Sequence, residues 1–336
     1  MMNNRKLIDI WGKLSKTDSP GLVKSLYSPD FSQYIYCTRL NPEGYFGIAI
    51  SYRDTIKINI KSLSKLRDVQ IYITKDSSYD GNNILVLQLS NSKVVEIFST
   101  LCENLIQSIA NLTDSDKAIH TIVNHLEKWK TLFSNLNSEG LSIPEQQGLY
   151  GEIYFLKKLL NYHNDNSEIL NIWVGVDSEL RDFQSGECAV EVKTTSSSNH
   201  QRLTINSERQ LDDSLLKDLF LYHLSVETSA ENGETLNQIV DSVRQYLESD
   251  FITLNLFNAK LMTVGYFDEQ RDLYNNRSYK HRRENCYRIF GSFPRIKETE
   301  LMSGVGDVQY TIITDMCAEY LIPEKVIFKT LGLCKN

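Results

Sequence analysis

The chain of 336 residues has no apolar run approaching the roughly 18–20 residues of a membrane-crossing helix, which argues against a helical span. A secretory signal is also missing. Met1-Met2-Asn3-Asn4-Arg5-Lys6 leads into Leu7-Ile8-Asp9-Ile10-Trp11 and then turns polar, without a long apolar core. A cytoplasmic protein is expected. Its cysteines are few and scattered, at positions 37, 102, 188, 286, 317 and 334, with no paired spacing for zinc. They fit reduced thiols. No glycine-rich phosphate loop and no nucleophile elbow occurs, which argues against nucleotide and serine hydrolases. There is no internal repeat or low-complexity tract. Positive charge is not in excess either: 36 Lys and Arg against 43 Asp and Glu give a net charge of −7, unlike a dedicated nucleic-acid binder.

What is present fits a globular α+β protein. Hydrophobic residues make up 41% and charged residues 24%, so a core can form without disulfides. The length accommodates two domains, 1–140 and 141–336. In the first, alternating apolar runs at 34–37, 45–50, 56–60, 69–73 and 84–89 predict an antiparallel sheet, with turns at Asn41-Pro42-Glu43-Gly44 and Asp80-Gly81-Asn82-Asn83. Helical spacing then predicts helices over 94–111 and 115–133, followed by a hinge at 134–140. This module could bind DNA, a partner protein or a second copy of the chain. The second domain reads as helix 144–161, a strand near 170–176, a hairpin, a short helix near 207–212, strand 219–227 and helix 235–248. Later strands are expected at 260–266 and 308–314. The nearly all-apolar strand 219–227 should be central in a mixed sheet flanked by helices.

The hairpin is the most informative segment. Arg181-Asp182-Phe183-Gln184-Ser185-Gly186-Glu187-Cys188-Ala189-Val190-Glu191-Val192-Lys193-Thr194 has Gly186-Glu187 where a two-residue type II′ turn wants glycine first. Closing there pairs Ser185 with Cys188, Gln184 with Ala189, Phe183 with Val190 and Asp182 with Glu191. Asp182, Glu191 and Lys193 then share a face, while Val190 and Val192 point the other way. Two facing carboxylates repel. A hard divalent cation between them turns that repulsion into binding. The bland alternative is a solvated strand face with a weak ion pair.

Upstream, Ser142 with Glu145 forms a capping-box pattern around Pro144. Leu149, Ile153, Leu156 and Leu160 recur at helical spacing. Gly148 and Gly151 each weaken this helix by roughly 1 kcal/mol, which close approach to a sheet or ligand would explain. Glu152 sits near the core-facing stripe, where a lone carboxylate is costly. It either supplies another donor to the metal site or reaches water.

These segments, in this order, resemble the PD-(D/E)XK nuclease superfamily of restriction endonucleases and their relatives. More narrowly they resemble the bacterial family called "PD-(D/E)XK motif protein". The residues that carry the likeness are the Gly151-Glu152 helix, Trp173-Val174-Gly175, Asp182-Phe183, and Ala189 to Thr195, with His200, Leu203-Thr204-Ile205 and Gln210-Leu211 beyond. Tyr287 to Ile296, Gly304-Val305 and Tyr310 add to it. The likeness runs from about Gln147 to near the C-terminus; Arg181 stands where the motif name has proline. It implies a restriction-endonuclease-like fold and a magnesium- or manganese-dependent DNA endonuclease. Asp182, Glu191 and Glu152 would be the metal ligands, and Lys193 would orient water or stabilise the scissile phosphate. A restriction or anti-phage setting beside a methyltransferase or motor ATPase, and a homodimer, belong to the same expectation. The alternative is a nuclease-fold subunit that binds nucleic acid or a protein without cutting.

Two further residues are ambiguous. Gln210 could contact the attacking water or the backbone phosphates, or simply cap and pack its helix. His200 could bind phosphate or stand solvated in its loop. Downstream, Arg271, Arg277, Lys280, Arg282, Arg283, Arg288, Arg295 and Lys297 cluster, interleaved with Tyr274, Tyr279 and Tyr287. Lys280, Arg282, Arg283 and Arg288 are the candidate DNA contacts, with the tyrosines offering stacking.

Overall fold

The computed structural model describes the chain apart from residues 1–5, 18, 30–33, 64–67, 130–138, 176–179, 197–201, 230–231 and 334–336. Its contacts divide it into two units, Met1–Gly140 and Leu141–Asn336. The architecture is α+β.

The first unit opens on α1 (Lys6–Leu14), followed by β1 (Gly21–Leu26), β2 (Ile35–Asn41), β3 (Tyr45–Arg53), β4 (Val69–Lys75) and β5 (Asn82–Leu89). The five strands form one antiparallel sheet in the order β1-β2-β3-β5-β4. Gly44 and Gly81 sit at the expected turns with φ of 75° and 77°, where side chains are disfavoured. Then come α2 (Val95–Ile109) and α3 (Ser115–Lys128). Ile119, Ile122 and Leu126 bury the stripe that the spacing of α3 predicts. Leu132, placed on the same stripe, and the hinge at 134–138 lie outside the described residues. The run at 56–60 is not a strand. It alternates, but it takes no place in the sheet order β1-β2-β3-β5-β4.

The second unit starts with α4 (Ile143–Tyr162) and α5 (Asn166–Ile172). The hairpin β6 (Phe183–Ser185) and β7 (Cys188–Thr195) precedes β8 (Arg202–Ile205) and the long β9 (Asp218–Ser229). The short β10 (Glu234–Thr235), α6 (Leu236–Tyr246), α7 (Phe251–Thr263), β11 (Ser278–Ile289), β12 (Tyr310–Ile313) and α8 (Glu324–Leu333) complete it. The main sheet has the order β10-β11-β9-β7-β6, with β9 in the middle. Only the β7–β9 pairing is parallel, which makes the sheet mixed. On one face Val190, Val192, Phe220, Tyr222, Leu224 and Val226 pack with α4 and α6 residues such as Phe155, Leu156, Ile239 and Val243. The lower part of the other face, Ala189, Leu219, Leu221, Tyr287 and Ile289, is covered by Leu203, Ile205 and Ile312 of the separate β8–β12 pair.

Two expected strands are helices. Residues 166–172 form α5 because the Asp165 side chain accepts the Glu168 amide at 2.9 Å and caps it. Trp173 makes only a single bridge, to Phe183. Residues 260–263 end α7, which Asp250 caps through the Thr253 amide at 3.1 Å. Phe257 and Leu261 bury at helical spacing, and Gly265 with φ 86° follows the last turn. Cys37, Cys102, Cys286 and Cys317 are buried.

Candidate active site

The hairpin closes in the expected register. Ser185 faces Cys188, Gln184 faces Ala189 and Phe183 faces Val190. Gly186 has φ 56°, as the first position of a II′ turn requires. Asp182 lies one residue before β6, so its link to β7 is made by its side chain: Oδ2 accepts the Val192 amide at 2.6 Å. Its carbonyl accepts the amides of Val174 and Gly175 at 2.9 and 3.0 Å. A Cβ on Gly175 would stand 2.8 Å from the Asp182 Cα and 2.9 Å from Oδ1, so glycine is needed for this approach.

Glu191 and Lys193 share the expected face of β7. Glu191 is only 1% exposed, and Lys193 Nζ stands 2.8 Å from its Oε1. Its other oxygen, Oε2, is buried with no hydrogen-bond partner. Lys193 also donates to Gln210 Oε1 at 3.1 Å, and the same oxygen accepts the Asn206 amide at 2.9 Å. Gln210 lies in a short 3-10 turn, Glu208–Leu211, capped by Ser207. Arg181 holds this turn from the hairpin side by donating to the carbonyls of Arg209 and Asp212. Glu152 arrives from α4 and accepts Trp173 Nε1–H at 2.9 Å through Oε2. The helix start is as predicted: Glu145 accepts the Ser142 amide at 2.7 Å. A Cβ on Gly151 would fall 1.7 Å from Thr194 Oγ1, so this glycine seats α4 against β7. Gly148 faces open space and has no such role.

The electrostatics bind these groups together. Burial, Glu191 and Glu152 push the Asp182 carboxyl well above the usual carboxylate range. Burial also raises Glu191, against the pull of Lys193. Burial and the Glu191 charge, opposed by the Trp173 hydrogen bond, raise Glu152 to about 7. Burial opposes the charge on Lys193, yet Glu191, Asp182 and Glu152 outweigh it and its pKa is raised. Among the described residues, no three His, Cys, Asp or Glu side chains already form a metal-holding group. The expected convergence around an ion is therefore not preassembled. Each carboxylate instead keeps one oxygen on a protein donor: Glu152 on Trp173, Asp182 on the Val192 amide and Glu191 on Lys193. The donor set nevertheless fits a hard divalent cation. It is all oxygen, it is short of positive charge, and it includes an unpartnered buried oxygen that an ion would satisfy.

Residues 7–315 match the family described as "Putative PD-(D/E)XK family member, (DUF4420)". The chain belongs to that family. The match reaches into the first unit, where sequence reading found nothing recognisable, so this PD-(D/E)XK family includes most of the antiparallel module as well as the hairpin. No curated protein and no solved structure gives a significant match.

The other candidates divide. His200 lies outside the described residues. Lys280, Arg282, Arg283 and Arg288 all lie on β11 and are exposed, but they do not form one surface. Lys280 opposes Glu227, and Arg283 opposes Ser225, on the face that carries His223 and Lys193. Arg282 sits in the bulge between His281 and Arg283, with Nε 3.7 Å from Glu227. Arg288 points to the opposite face and pairs with Asp218 at 2.5 Å. Arg271, Arg295 and Lys297 are likewise tied to Asp241 and Asp213. Tyr274, Tyr279 and Tyr287 are 0–2% exposed, so they are core residues and not a stacking surface. Sequence reading missed His223. It is buried beside Lys193 in register, its Nε2 is 2.9 Å from Thr195 Oγ1, and its Nδ1 has no partner. Burial, helped by Arg283, lowers its pKa to about 4 and keeps it neutral. Its place in an apolar strand, with no neighbouring motif, gave no signal.

Proposed function

We propose that this chain is a metal-dependent DNA endonuclease that hydrolyses phosphodiester bonds, working in a cytoplasmic bacterial restriction or anti-phage system. The observation that carries the reading is the Glu191–Lys193 pair: a fully buried carboxylate with one free oxygen and an ammonium beside it, next to Asp182 and Glu152. Membership of a PD-(D/E)XK family supports it. Asp182, Glu191 and Glu152 would hold Mg2+ or Mn2+. Such an ion lowers the pKa of bound water and neutralises charge at the phosphate. Lys193 carries a fixed positive charge in a largely water-excluded position, suited to stabilising a developing phosphorane charge or orienting the nucleophile. Gln210 and the Asn206 amide fix where that ammonium points. Gln210 is thus a positioning residue.

Plasmid incubated with the protein and Mg2+ or Mn2+ should be cut, and Asp182→Ala and Lys193→Ala should each lower the rate by orders of magnitude. Cutting that survives both substitutions overturns the assignment. The second reading, a nuclease-fold subunit that binds without cutting, draws on the net charge of −7 and on the lack of a preassembled carboxylate cage among the described residues. Protein that binds duplex DNA but never cuts it, even with a methyltransferase or ATPase partner present, favours that reading.

A further inference from the structure

The face of the main sheet that carries the candidate site changes character across its strands. From β7 it presents Glu191, Lys193 and Thr195; from β9, His223 and Ser225; from β11, Asn285 and Arg283, then Lys280 beyond the bulge. Glu191, His223, Ser225 and Asn285 are buried, whereas Arg283 and Lys280 are exposed. A polar path therefore leads from the buried carboxylate out to two cations at the far strand. Among the described residues neither cation has an ion-pair partner. Glu227, the acid nearest Lys280 in register, is taken up by Arg282 in the bulge. Arg288 lies on the same strand but on the other face, and Asp218 neutralises it.

Resting on the nuclease reading, we infer that substrate DNA reaches the site across β11, with Arg283 and Lys280 contacting backbone phosphates on one side of the scissile bond and Arg288 contacting none. Phosphate contacts are made by unneutralised cations that share a surface, and each such contact releases counterions. Of the cationic residues on this strand, only Arg283 and Lys280 satisfy both conditions.

The test is duplex binding by the full chain in EDTA, measured by filter retention across a salt series. Arg283→Gln should weaken binding several-fold and reduce the salt slope by about 1, and adding Lys280→Gln should lower it further. Arg283→Lys should restore much of the slope. Arg288→Gln should bind as wild type, and all variants should melt alike because the residues are exposed. Wild-type protein that binds while Arg283→Gln matches it overturns this inference alone. The same holds if Arg288→Gln loses as much as Arg283→Gln. Wild-type protein that binds no duplex at any salt overturns the nuclease reading and this inference with it.

Discussion

At the residue scale, the candidate site sets the buried Glu191 near the half-buried Asp182 and Glu152, whose carboxyls burial and mutual repulsion push upward. Lys193 is the only cation the described structure sets on Glu191 as an ion pair. Removing it leaves a buried charge without compensation, which typically costs about 3–5 kcal/mol. Lys193→Met should therefore lower the melting temperature of metal-free protein as well as abolish cutting, and Glu191→Gln in the same chain should recover most of the lost stability. Glu152 sets a pH dependence. Its folded pKa of about 7 lies above the ordinary 4.5, so the native state holds a proton that the unfolded state releases. Stability from this group is full below about 4.5 and is lost as pH rises through 7. Melting of metal-free wild type should fall across that window, and Glu152→Gln should flatten the fall. Added Mn2+ should raise the melting temperature more at pH 8 than at pH 6, an effect that Asp182→Asn removes. The shared face of Glu191 and Lys193 was readable in sequence because strand alternation fixes which way each side chain points. His223 was not, since a lone histidine in an apolar strand shows its environment only after the sheet is assembled.

At the level of elements, the seating of α4 on β7 decides whether Glu152 reaches the hairpin. Two glycines of this helix make opposite predictions. Gly151→Ala would drive a methyl into Thr194, so a loss of roughly 1–3 kcal/mol is expected on denaturant unfolding, with loss of cleavage. Gly148→Ala meets nothing within 4 Å and should stabilise by about 0.5–1 kcal/mol. From sequence the two glycines look equivalent; only the neighbour across the interface separates them. The opposite sheet face carries a second charge centre. Glu284 accepts from Tyr154 at 2.9 Å and Tyr222 at 2.7 Å, and Lys158 also binds it. Burial opposes its charge, but these partners bring its pKa down to about 2. Its stabilisation is present above the ordinary 4.5 and is lost as pH falls toward 2. Glu284→Gln should lower stability at neutral pH and soften the acid limb of the unfolding curve. The strands β6 and β7 were legible because alternation and turn chemistry agree there, and β9 because its continuous apolar run has strand length. At 166–172 and 260–263 short apolar runs suit strand and helix equally, and the caps Asp165 and Asp250 decide for helix. The strand β11 was hidden because four exposed residues, Lys280 to Arg283, interrupt its pattern at the bulge.

On the scale of the molecule, each unit buries its own apolar residues. The main core of the second unit draws only on residues from Leu141 to Leu331. A chain beginning at Leu141 should therefore fold cooperatively and retain the metal-dependent stabilisation; a chain that fails to fold would show that the first unit supplies part of its stability. The family match begins at residue 7 and so takes in the first unit together with the hairpin. One hydrogen bond has a practical consequence. Trp173 is fully buried, donates to Glu152, and is the sole indole of the second unit, because the other two tryptophans are Trp11 and Trp129. Its emission in the shortened chain would answer to the state of that one carboxylate, so an unlabelled cuvette could watch the site fill and empty.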